Sequence, residues 1–202
     1  MRKAFLALTA LAVIAALAPV HADTRALSRT GTAAALCQGC GGQTKSQAAT
    51  IPAGWHKYER PAVGYRVALP QEPVTDEFTE EIDGVEYPTH AAMAALADDG
   101  VIFVAADRQY LAAADLSQAE KILNLAQEQF TEGGTVTKQR DVQIQGRPGR
   151  ELLVDAQGLG VVHLRLVFTG DRVIVLAVIL MDGAESPDVA RFFDSFEWVQ
   201  KK

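Results

Sequence analysis

From Gly54 onwards, apolar and polar residues alternate in short runs bounded by glycine, proline and aspartate, a pattern typical of β-strands. In one such run Tyr65, Val67 and Leu69 share a face, and Pro70 ends the strand. The same reasoning predicts further strands at residues 75–82, 86–96, 101–110, 135–145, 150–157, 161–168, 173–181 and 195–199.

Three sequence features refine the order of these strands. The run 173–181 is apolar on both faces, which predicts a central strand covered on two sides. Asp98-Asp99-Gly100 separates two runs and predicts a hairpin. Arg147-Pro148-Gly149-Arg150 predicts a type II turn, because proline sets φ at the second position and glycine accepts a positive φ at the third.

The hydrophobic period changes to that of a helix over about residues 116–132. Ser117 and Glu120 have capping-box spacing, and Gly133-Gly134 supplies a left-handed stop. A second, short helix should begin at Ser186-Pro187, since serine caps helices and proline suits the first turn. Strands and helices together predict an α+β fold in which an antiparallel β-sheet packs against helices.

Residues 1–22 have the pattern of a secretory signal peptide. A basic start, Arg2-Lys3, precedes an apolar run that is shorter than the roughly 20 residues needed to span a bilayer. Val20-His21-Ala22 then offers small residues at the two positions that a signal peptidase reads. We therefore expect a periplasmic or secreted protein with no stable membrane span after cleavage.

The segment 23–53 is predicted to be a flexible linker, because it is rich in small and polar residues and has few large apolar ones. Such a segment cannot bury enough surface to offset the entropy lost on ordering it. The predicted division is therefore a signal peptide at 1–22, a linker at 23–53 and one α+β domain at 54–202.

The charge and the reactive residues restrict the function. A net charge of −6 argues against nucleic acid and against an acidic membrane surface as the main partner. Two cysteines and four histidines argue against a disulfide-dense miniprotein and against a large metal cluster. Asp194-Ser195-Phe196 lacks the glycines of a nucleophile elbow, and the acidic run 76–83 does not match an EF-hand loop. We predict no catalytic residue, no metal ligand set and no cofactor.

Cys37 and Cys40 form a CxxC pair within the linker. In an oxidising compartment such a pair closes a small disulfide ring, which is its passive interpretation. A redox-active pair would be favoured by a following helix N-terminus, which lowers a thiol pKa, and none is evident in the sequence. A metal site would need two more ligands, from this chain or a second one. These three alternatives stay open.

His163 and Arg165 lie on the less apolar face of the predicted strand 161–168. Together they could form a thin polar pocket, with Asp107 or Arg108 nearby. The alternative is that these are ordinary sheet residues that face water or lie under a helix.

Three segments resemble those of a known superfamily: 65–70 (YRVALP), 146–151 (GRPGRE) and 191–196 (RFFDSF). With the order of elements, they resemble the PsbP-like α/β/α sandwich superfamily, especially its secreted bacterial members, over roughly residues 55–199. The resemblance implies that fold. It also implies a non-enzymatic role, because known relatives act as binding or assembly factors, and it transfers no binding residue.

The expectation is therefore an exported, non-catalytic periplasmic protein that binds an unknown protein partner or assists envelope assembly. The alternative is a thiol redox or metal-handling protein that works through Cys37 and Cys40.

Overall fold

The computed structural model describes residues 51–110, 118–181 and 186–199. The predicted signal peptide, Cys37, Cys40 and the predicted capping residue Ser117 lie outside the described residues. Within them the elements, in chain order, are β1 (His56–Arg60), β2 (Tyr65–Leu69), β3 (Val74–Ile82), β4 (Val85–Leu96), β5 (Val101–Gln109), α1 (Ala119–Phe130), β6 (Gly134–Ile144), β7 (Arg147–Ala156), β8 (Gly160–Phe168), β9 (Arg172–Leu180), α2 (Asp188–Asp194) and β10 (Glu197–Trp198).

The strands form two antiparallel sheets. The larger has seven strands in the order β3-β4-β5-β9-β8-β7-β6, so that β3 and β6 are its edges in the described part of the chain. The smaller has the order β1-β2-β10. Two helices pack with these sheets, which confirms the α+β fold class. No helix among the described residues is both long and apolar enough to cross a bilayer.

The seven-stranded sheet is the middle layer, with an apolar core on each face. On one face α1 contributes Ile122, Leu123 and Ala126 to a core with β8. On the other face lie the three-stranded sheet and α2, and there Phe103 of β5 packs edge-on against Phe192 of α2 at 5.5 Å between ring centroids. This sandwich follows from the amphipathic pattern, since each element buries its apolar face against the sheet.

Strand β9 occupies an interior position and is buried from Val173 to Leu180. Its residues alternate between the two cores: Leu176 faces α2 and Val175 faces α1. A strand with both faces covered needs apolar residues at successive positions, so the prediction of a central strand here is confirmed.

The turn before β7 differs from the prediction. The prediction of a type II turn at Arg147–Arg150 is wrong, because these residues already belong to β7. The chain reverses before these residues, at Gln145 and Gly146. Their φ angles of 50° and 83° suit a two-residue hairpin loop. Gly149 is needed for a different reason: a Cβ there would lie 2.6 Å from the Leu166 carbonyl oxygen.

The side chain of Gln145 also connects this hairpin to the smaller sheet. Its Nε2 donates to the carbonyl oxygen of Phe196 at 2.7 Å, and the Trp198 amide donates to its Oε1 at 3.2 Å. The short strand β10 is therefore held both by its pairing with β2 and by the turn between β6 and β7.

Three local details complete the comparison with the sequence. Strand β1 was not predicted, because its alternation rests on Tyr58 alone among charged neighbours. Helix α1 ends at Phe130, before the predicted end at residue 132, and the Gln118 side chain makes no capping bond. At α2 the amide of Asp188 donates to Ser186 Oγ at 3.2 Å, as expected for a serine cap.

Candidate functional site

Two adjoining cavities lie between α2 and the strands β6, β7 and β8. Their volumes are about 560 and 420 Å³, within the range of roughly 300–1,000 Å³ found for ligand pockets. We call the pair the α2 groove. The residues that line both cavities are Arg140, Glu151, Arg165, Phe193 and Asp194.

The alternation of β8 places the two predicted pocket residues in this groove. Leu164 and Leu166 point into the core beneath α1, so His163 and Arg165 face α2. Arg165 lines both cavities, and His163 lines the smaller one. The structure therefore brings the two residues together in one groove.

Arg165 is held in place by three kinds of contact. Its Nε and Nη2 donate to Glu151 Oε1 at 3.0 and 2.7 Å, and its Nη1 donates to the Phe193 carbonyl oxygen at 3.0 Å. The guanidinium carbon also lies 4.6 Å from the centroid of the Phe193 ring, a cation–π distance. Such contacts fix the orientation of a long side chain before any ligand arrives.

Glu151 is the shared acceptor of two arginines. Arg140 on β6 donates to its second carboxylate oxygen, so that Arg140, Glu151 and Arg165 form a row across β6, β7 and β8. Burial raises the pKa of Glu151, but the hydrogen bonds from Arg140 and Arg165 outweigh it and leave the pKa below its usual value. The Arg140 side chain remains 73% exposed, which makes it an accessible positive charge at the rim of the groove.

His163 contributes a neutral ring to the groove at neutral pH. Burial lowers its pKa below the usual value, and the nearby positive charge of Lys138 lowers it further. His163 can therefore donate or accept a hydrogen bond there without adding charge.

The two neighbours proposed for this pocket lie elsewhere, so that part of the prediction is wrong. Asp107 shares the α2-side face of the sheet, but β9 separates its strand from β8. Arg108 points to the opposite face, where it bonds Thr89 Oγ1 at 3.2 Å and pairs with Glu80. The reason is the strand order, which places β9 between β5 and β8.

A second polar site was not found from the sequence. We call it the Asp107 cluster and define it as Tyr58, Arg60, His90, Asp107 and Arg172. The Asp107 carboxylate is fully buried and accepts hydrogen bonds from Arg60 Nε at 3.0 Å and Arg172 Nη1 at 2.9 Å. Since Arg60 lies on β1 and Asp107 on β5, the bond from Arg60 joins the two sheets, whereas Arg172 lies on β9 in the same sheet as Asp107.

Within the Asp107 cluster, Tyr58 and His90 form a pair of neutral groups. The Tyr58 hydroxyl lies 3.0 Å from His90 Nδ1. Burial, reinforced by Asp107 and Glu77, raises the pKa of Tyr58 to about 12. Burial and then the charge of Arg60 lower the pKa of His90. At neutral pH the hydroxyl therefore stays protonated and can donate to a neutral ring, an arrangement that stabilises structure.

The remaining candidates have structural contacts or lie outside the described part. Cys37 and Cys40 lie outside it. Ser195 Oγ accepts from the Ala68 amide at 2.9 Å and donates to the Phe192 carbonyl oxygen at 2.7 Å, so it ties α2 to β2. Among residues 51–110, 118–181 and 186–199, no group of three or more histidine, cysteine or acidic residues could hold a metal ion.

Comparisons with known proteins give similarity in structure only. No family model matches the chain, and no curated protein matches it. The solution structure of PsbP from the cyanobacterium Synechocystis is similar at 10% identity and a TM-score of 0.44, covering 77% of this chain and 98% of that one.

Two crystal structures are similar at lower scores. One, from Bacteroides thetaiotaomicron, has 13% identity and a TM-score of 0.36 over 72% of this chain, which spans about half (48%) of that protein. The other is a Pseudomonas aeruginosa protein of unknown function, with 14% identity and a TM-score of 0.27, covering 64% of this chain and 85% of that one. These similarities concern architecture, and no activity or partner is carried over from them.

Proposed function

We propose that this chain is an exported, non-catalytic binding protein of the PsbP-like class, and that its α2 groove recognises a segment of a protein partner. Export is supported by the leader pattern of residues 1–22. Membership of the PsbP-like class is supported by the motifs at 65–70, 146–151 and 191–196 within an α+β sandwich.

The observation that carries the binding proposal is the row Arg140–Glu151–Arg165 beside Phe193. Arginine and aromatic residues are enriched where protein interfaces bind most strongly. Here one guanidinium is fixed over an aromatic ring while the other stays exposed at the rim. Because Arg165 and Phe193 already hold each other in place, a partner segment could bind against them with little rearrangement of the groove. This reduces the conformational entropy lost on binding.

Site-specific photo-crosslinking in the periplasm tests this proposal. A photoreactive residue at Asp194, which is exposed at the end of α2 and lines both cavities, should give a discrete adduct. The matched control is the same residue at Glu128, which is exposed on α1 on the opposite face of the sheet. Arg140→Glu should abolish the adduct from position 194. Equal adducts from both positions, or an adduct that Arg140→Glu leaves intact, would refute groove recognition.

Cell fractionation tests the export part separately. The chain with its leader should be recovered in the periplasm at a mass reduced by residues 1–22. A chain that lacks this segment should stay in the cytoplasm, and recovery of the full-length chain there would contradict export.

A further inference from the structure

We infer that the free edge of β6 and the larger cavity of the α2 groove form one docking site for an extended, acidic peptide segment, which adds to the seven-stranded sheet beside β6. This inference rests on the proposed function, because it specifies the kind of segment that the groove recognises.

The first observation is the pairing of β6. In the described part of the chain it pairs with β7 alone, so the backbone groups along its outer side are available to another strand. A register shift between Val136 and Lys138 disrupts the early part of the strand. From Lys138 to Ile144 the pairing with β7 is regular, a length of roughly 20 Å at 3.3 Å per residue.

The second observation is the shape of the larger cavity. Six successive residues, 140–145, line it. Successive residues of a strand point to opposite faces, so a cavity that touches all of them follows the backbone of β6. Its other wall is formed by the end of α2 and the residue before β10, including Phe193 and Phe196. Side chains of an added strand on this face would therefore enter the cavity.

The third observation is the charge along this edge. Lys138 and Arg140 are exposed, and Lys138 lies in the same cross-strand row as Leu153 and His163, next to the row of Arg140. The carboxylate of Asp141 is occupied by Arg150 Nε at 2.7 Å. A carboxylate of a partner strand can therefore pair with the N–H groups of Arg140 that do not bond Glu151.

The opposite edge of the sheet provides the contrast. Strand β3 carries four acidic residues along nine positions, of which Asp76, Glu77 and Glu81 are exposed and Glu80 is half-buried beside Arg108. Like charges placed opposite each other across two strands are destabilising. An acidic segment should therefore select β6 and be repelled by β3, whereas a basic segment should show the reverse preference.

A peptide selection on the full mature chain tests the inference. The probe is a library of extended decapeptides with valine at alternate positions and glutamate, threonine or lysine at the others. Glutamate peptides should be enriched on the wild-type protein. Arg140→Glu should weaken their binding about tenfold, since an attractive pair is replaced by a repulsive one. Glu81→Lys on β3 is the matched control and should leave binding unchanged.

Backbone methylation tests for strand addition itself. A selected peptide that is N-methylated at every second residue loses the N–H groups on one edge. Methylation of the edge that faces β6 should abolish binding, and methylation of the other edge should leave it intact. Amide hydrogen exchange should slow in residues 139–143 on peptide binding and stay unchanged in β3. Equal tolerance of both methylated forms, or unchanged exchange in 139–143, would overturn the inference.

The two proposals fail in different ways. Photo-crosslinking at position 194 that depends on Arg140, combined with no preference for glutamate peptides, refutes strand addition by an acidic segment and leaves groove recognition standing. Loss of both signals refutes both.

Discussion

Replacing Asp107 by asparagine should destabilise the fold, because it removes the carboxylate that joins the two sheets. The amide is similar in size but neutral, and it leaves Arg60 and Arg172 with only the more exposed carboxylates of Glu77 and Asp171 as anionic neighbours. Breaking a buried ion pair in this way costs about 3–5 kcal/mol. The two guanidiniums are 21% and 25% exposed, so they regain part of their hydration and the lower figure, about 3 kcal/mol, is expected.

Urea unfolding followed by tryptophan fluorescence measures this loss. For a chain of this size, about 3 kcal/mol lowers the melting temperature by roughly 6–12 °C, and at a slope of about 2 kcal/mol per molar urea it lowers the midpoint by about 1.5 M. The control is Asp171→Asn, because the Asp171 carboxylate is 47% exposed and 3.8 Å from Arg172. It should cost less than about 1 kcal/mol. Equal losses for the two variants would refute a stabilising role of the buried pair.

Three further predictions concern pH, packing and the cysteines. Burial lowers the pKa of His90 and His163, so below about pH 6.5 the unfolded chain binds more protons than the folded chain. The free energy of unfolding should therefore decrease as the pH is lowered. Urea midpoints at pH 7.5 and 5.5 check this, and an equal or higher midpoint at pH 5.5 would contradict it. Gly149→Ala should cost about 1–3 kcal/mol in thermal unfolding, because its Cβ meets backbone that cannot move aside; an unchanged melting temperature would show that the strands can separate there. Replacing Cys37 and Cys40 by serine should leave the melting temperature unchanged. Thiol titration and zinc analysis of the native chain decide between a disulfide, a redox pair and a metal site.

Much of the sheet could be predicted because its signals are local. The apolar run of β9 and the alternation of β8 each carry their own pattern, and the two-residue spacing of His163 and Arg165 already places them on one face. The prediction of the turn before β7 is wrong for the same reason, because Pro148-Gly149 is a strong local turn signal that here lies inside a strand. The close approach of β8 that requires Gly149 depends on a strand further along the chain.

The contacts that define the two polar sites could not be predicted, because they depend on register and on how the sheets stack. Arg140 meets Glu151 only because β6 and β7 pair with these residues opposite each other. Asp107 meets Arg60 only once the smaller sheet lies over the larger one. Single charged residues on separate strands carry no sequence signal for either arrangement.

The bond between Gln145 and β10 has a consequence for detecting ligands. The same hairpin that ends β6 holds the backbone of Trp198 through one side chain. A strand that settles beside β6 would strain or relax that bond and so alter the surroundings of the indole. The tryptophan fluorescence of the protein should therefore change when a strand binds beside β6, and Gln145→Ala should abolish this change.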